Sequence, residues 1–147
     1  MKKIQLFSAS FICTAAVVAA APVADASFSD VQSNYFFADA INYLAEKKVI
    51  TGYEDGTFRP NDTLTREQAA IIIARALDLN IEEQNDLVFK DVPSTMFGYK
   101  HIAALYNAGI INGVSETEFK PYDIVTRGQM AKMLVNGFNI NTEKYET

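Results

Sequence analysis

Residues 51–68 read T-G-Y-E-D-G-T-F-R-P-N-D-T-L-T-R-E-Q, and this run decides the fold. It holds a turn glycine, an acidic loop, a Phe-Arg-Pro corner and a helix start, in that order. A looser copy follows at residues 112–129, N-G-V-S-E-T-E-F-K-P-Y-D-I-V-T-R-G-Q. Gly52 and Gly113 stand 61 positions apart, and so do Arg66 and Arg127, so nothing is inserted between these marks. The same offset pairs Phe28 with Phe89, Asp30 with Asp91, Ile41 with Ile102, Leu44 with Leu105 and Pro60 with Pro121. A period of this order calls for a repeat reading before any other. The chain carries two copies of one unit.

Each unit reads as helix, loop, helix, which predicts an all-α fold. In the first, Phe37, Ile41, Leu44 and Ala45 have the i, i+4, i+7, i+8 spacing of a buried stripe. Lys47 and Lys48 then fall where cations suit the end of a helix dipole. Ile102, Leu105 and Tyr106 repeat the stripe in the second unit and stop near Gly109. The later helix of each unit opens on a capping box, Thr65 with Gln68 and Thr126 with Gln129. Behind these caps, Ala70, Ile73, Ala74 and Leu77 form one inward stripe, and Ala131, Leu134, Val135 and Phe138 its copy. Residues 27–80 and 89–140 are the expected units, 81–88 an acidic linker, and 141–147 a polar tail. Neither stripe is long enough to be buried alone, so the units must share a core.

Ahead of the units, Met1-Lys2-Lys3, an apolar run over residues 4–21 and Ala24-Asp25-Ala26 have the layout of a secretory signal peptide, residues 1–26. A retained anchor is the alternative, disfavoured by a short and alanine-rich run. Cys13 is the single cysteine and lies inside this segment, behind Ser10-Phe11-Ile12, which is no lipoprotein box. An exported domain without disulfides must be held by packing alone. The location expected is the cell exterior, with no membrane contact after cleavage.

Thirteen basic against 18 acidic residues give a net charge of −5. That argues against nucleic acid, whose non-specific affinity comes from a basic face. An anionic partner stays open, because screening over about 8–10 Å lets a local arginine cluster outweigh the total. With one histidine and no cysteine past residue 26, neither a nucleophilic triad nor the usual zinc site can be built. Counting leaves carboxylate pairs for glycoside hydrolysis open, but the acids show no arrangement that marks a cleft. No enzyme, metal or cofactor is expected. Glu54-Asp55-Gly56 lacks the alternating ligands of a calcium loop and reads as a turn. His101 reads as a surface or half-buried residue.

F-S-D-V, an A-I-x-x-L helix, I-T-G-Y-E-D-G-T-F-R-P and L-T-R-E-Q-A-A together closely resemble the S-layer homology (SLH) domain. F-K-D-V, I-I-N-G, F-K-P and V-T-R-G-Q-M-A look like a more diverged copy, and the likeness covers residues 28–140. The resemblance implies non-covalent anchoring to the bacterial cell wall. The implied partner is a secondary wall polysaccharide attached to peptidoglycan, commonly one bearing a pyruvate ketal. It also implies a pseudo-threefold bundle of three units with ligand grooves between neighbours. This chain departs from that pattern in having two units, hence an incomplete bundle, and in carrying Gln68 and Gln129 where the T-R-x-E motif has its acid. A tryptophan common in the first helix is absent as well. An alternative partner is another SLH or S-layer protein, or a second copy, completing the bundle.

On this reading Arg66 and Arg127, the arginines of the T-R-x-E-type motif, are the main ligand contacts. A helix N-terminus favours an anion, and a guanidinium adds a bidentate partner for a carboxylate. Arg59 and Lys120 supply a second cation from the corners. Gly52 and Gly113 either admit backbone to the sugar or permit a positive φ. Tyr53 either stacks on a sugar face or simply packs, and Val114 replaces it in the second unit. Asp30 and Asp91 either accept sugar hydroxyls or cap the turn before the first helix. An arginine at the start of a helix is otherwise most often solvated or locally paired. The first loop, with Tyr53 and Asp55-Gly56, is the expected working site.

Overall fold

The structure, a computed structural model, describes residues 28–84 and 86–141. The expected signal peptide and the tail past Asn141 lie outside the described residues. Four helices follow in order: α1 (Ala38–Glu46), α2 (Arg66–Ala76), α3 (Tyr99–Asn107) and α4 (Arg127–Gly137). Among the described residues there is no β-sheet, only an isolated antiparallel bridge between Thr65 and Ile124. The fold is all-α, as the stripes predict.

Both capping boxes form. Thr65 Oγ1 accepts from the Gln68 amide at 3.2 Å while Gln68 Oε1 accepts from the Thr65 amide at 2.9 Å. Thr126 and Gln129 repeat both bonds at the same distances. Each box satisfies two of the amides that a helix start leaves open.

Packing departs from the sequence reading at two stripes. Phe37 is the N-cap of α1 and lies exposed, leaving Ile41 to enter the core. In α4 the buried residue is Met133, whereas Ala131, Leu134 and Phe138 are exposed. Their counterparts in α2 behave differently because α2 has a neighbour on that side. Ala69, Ala70, Ile73 and Ala74 join Phe89, Ile102, Leu105, Phe119 and Met133 in the larger core. The opposite side of α2 presents Ile72 to a smaller core of Ile41, Val49 and Ile50, backed by Phe28 and Phe58. Helix α2 thus belongs to the first unit in sequence and to both units in packing.

The acidic segment between the units lies along α3. Lys100 Nζ pairs with Glu82 at 2.6 Å, and Asn107 donates to Gln84 at 3.0 Å.

Candidate functional site

The two loops are built alike. Asp30 Oδ1 and Oδ2 accept from the amides of Phe58 at 2.8 Å and Arg59 at 2.7 Å. Asp91 does the same for Phe119 at 2.9 Å and Lys120 at 2.6 Å. These carboxylates therefore clasp the Phe-x-Pro corner that follows the first helix of each unit, which is neither the sugar contact nor the cap of the turn before that helix. The Phe58 amide bond is the leading cause that draws the Asp30 carboxyl below its usual range. The corner needs this clasp because Arg59 and Lys120 both adopt left-handed backbone, φ 61° and 56°.

The glycines resolve separately. Gly52 has φ 63°, and a Cβ there would also sit 2.3 Å from the Phe28 ring. Gly113 does not share the positive φ; a Cβ would meet Ser115 O at 2.3 Å and Glu118 O at 2.6 Å. Close backbone contact inside the loop excludes a side chain there, without any sugar.

Arg66 is the largest departure. The sequence puts its guanidinium at an anion site, but the side chain is only 4% exposed. Nε donates to Phe119 O at 2.7 Å, Nη2 to Asn112 O at 3.3 Å, and the group lies 4.4 Å above the Phe119 ring. The amides at the start of α2 are also taken: Arg66 N donates to Asp123 O and Glu67 N to Pro121 O, both at 2.9 Å. With those amides and the guanidinium engaged, the start of α2 is a joint between units and offers no anion site. The motif's own residues gave no sign of this, because the acceptors come from the other unit. Arg127 at the start of α4 is exposed, with no hydrogen bond or ion pair to other described residues. Lys120 is exposed too.

An open groove of about 440 Å³ lies beside the first loop. Its lining includes Gly52, Tyr53 and Arg59 of the loop and the apolar side chains of Phe58, Ile71 and Ile72. Arg59 is held over the Tyr53 ring at 4.0 Å by Asp55, whose Oδ2 lies 2.8 Å from Nη2. Asp55 also accepts from the Thr57 hydroxyl at 2.6 Å. Thr57 first and Arg59 second draw the Asp55 carboxyl down to about 2. The 54–56 segment is a turn, closed by Tyr53 N to Thr57 O at 2.8 Å and Gly56 N to Tyr53 O at 3.0 Å.

Two groove residues were missed from sequence, Arg75 of α2 and Phe97 ahead of α3. Arg75 follows Gln68 and Ile71 at helical spacing, and Phe97 repeats Phe36 at the common offset, so both signals were present. His101 is buried, contrary to the surface or half-buried reading, because it sits on the inner side of α3.

A family model described as the S-layer homology domain matches residues 27–70 and 88–131. The chain is 34% identical over 139 residues to an S-layer protein of Bacillus licheniformis, covering 95% of this chain and 16% of that protein. It is 38% identical to S-layer protein EA1 of Bacillus anthracis, over 86% of this chain and 15% of the relative. Identity to the surface-layer 125 kDa protein of Lysinibacillus sphaericus is 41%, over 95% and 12%. The chain thus spans about a sixth or less of the length of these relatives.

Proposed function

The chain belongs to the S-layer homology domain family, and on that premise we propose that it anchors to the bacterial cell wall by binding an anionic, pyruvylated secondary polysaccharide beside its first loop. Family and surface-layer relatives indicate a cell-surface, cell-wall location. They also point to an anchoring module rather than a catalytic one. The observation that carries the ligand reading is the groove with Arg59 laid over Tyr53 in its lining.

That arrangement suits an acidic sugar. Asp55 and Tyr53 fix the guanidinium in place, so less side-chain freedom is lost when it meets a carboxylate. Gly52 keeps the neighbouring backbone low. The apolar floor takes the less polar face of the ring, and few polar groups set its orientation, as in most small-ligand sites. Retention of the purified protein on wall polysaccharide, with and without the pyruvate ketal, tests this. Retention should require the ketal, and Arg59→Gln should weaken it roughly tenfold. Equal retention on both polymers, or on neither, would sink the reading.

A second reading, docking onto a further unit of the same kind in another SLH or S-layer chain or in a second copy, rests on the open face of α4. Ile73 is 3% exposed and its counterpart Leu134 is 38% exposed. Gly128, facing open space, stands where Glu67 packs against Gly98 in the joint between units. Light scattering over a concentration series, alone and with a partner SLH protein, checks this. Leu134→Asp should abolish any association, and a strict monomer in every mixture removes the reading.

A further inference from the structure

Resting on the reading that this groove holds an acidic wall glycan, we infer that it carries a second subsite, formed by Arg75 and Phe97, and so binds consecutive sugars of the polymer rather than one terminal sugar. Helix α2 runs along the groove, lining it with Glu67, Gln68, Ile71, Ile72 and Arg75. At 1.5 Å per residue, Glu67 to Arg75 spans about 12 Å, longer than one pyranose ring. Arg59 comes to the groove from the first loop and Arg75 from the last turn of α2.

The two cations differ in their commitments. Arg59 is tied to Asp55 and Tyr53, whereas the Arg75 guanidinium makes no hydrogen bond or ion pair to other described residues. Phe97 is 75% exposed and reaches the groove from the second unit. Its ring lies 6.3 Å from that of buried His101, which gives it a fixed base. An exposed aromatic ring on a fixed base offers an apolar face to a sugar ring, with little ordering cost on binding. Glu67 fixes the units beside it, its Oε1 accepting from the Gly98 amide at 2.8 Å. The subsite is therefore complete only when both units are packed.

The second unit lacks the same equipment. Asn136 stands at the position equivalent to Arg75, and its Nδ2 donates to Ile110 O at 3.1 Å. Among the described residues, only the α2 groove pairs an arginine whose guanidinium is unbonded with an exposed aromatic ring from the next unit.

Calorimetric titration of the purified protein with the pyruvate-ketal monosaccharide and with longer wall-polysaccharide fragments tests the subsite. Affinity should rise with fragment length. Arg75→Gln and Phe97→Ala should each lower affinity for longer fragments roughly tenfold, with monosaccharide affinity and thermal stability unchanged. Wild-type affinity independent of length overturns the subsite, as does an equal loss in the variants at every length. Binding of no fragment at all defeats the glycan reading and the subsite with it.

Discussion

A buried arginine is expensive unless its donors are used, and Arg66, with only the more distant charges of Asp123 and Asp91 to favour it, uses them on carbonyls of the other unit. Arg66→Ala should therefore act on stability. Two acceptors would lose their donor and the Phe119 ring its cover, a loss of about 2–4 kcal/mol. Urea unfolding should show it, with Arg66→Lys recovering part; an unchanged midpoint would remove this role. Two acid steps are expected as well. Burial, with Arg75 adding to it, holds the His101 pKa below its usual 6.5. The unfolded chain then binds the proton more readily, so stability falls as pH drops below about 6.5. The Asp30 carboxyl is depressed, so its contribution is present above its unfolded value of 3.8 and lost as pH falls through the lower folded one. Melting temperature against pH should decline in both windows. His101→Leu should flatten the upper decline and Asp30→Asn the lower.

The loops and helix starts show how far sequence carries at the level of elements. Thr65 with Gln68 and Thr126 with Gln129 were legible because a capping box needs only residues three apart. The two aspartates were ambiguous since their acceptor role spans 28 and 29 residues, beyond any local pattern. The glycines divide on similar grounds. Gly56 has φ 77° with open space around it, so Gly56→Ala should cost about 1 kcal/mol from backbone strain alone. Gly113→Ala drives a methyl against two backbone carbonyls that cannot swing aside, and should cost several times more. Chemical denaturation of both variants ranks them. Gly113→Ala proving the milder would show that the second loop can relax.

For the whole molecule, the deciding feature is that α2 divides its faces between two cores. Ala69, Ala70, Ile73 and Ala74 supply one wall of the larger core, and Ile72 contributes to the smaller. The sequence stripes identified the inward residues of α2, but could not say which unit they faced. The α4 stripe failed for the same reason, because among the described residues nothing covers the face it predicts as buried. Sharing of this kind makes the units interdependent, since unfolding the first strips the second of its wall, and repeat stability rests on neighbour interfaces. Unfolding of the whole chain should then be a single transition, coincident by far-ultraviolet circular dichroism and tyrosine fluorescence. A fragment of residues 86–141 should lose helix content, having kept α3 and α4 but not α2. Adding residues 28–84 in trans should restore it, and restoration should fail with Arg66→Ala because the joint between units depends on that side chain. Two separate transitions, or a stably helical second unit alone, would mean that the shared wall couples the units less than its burial implies.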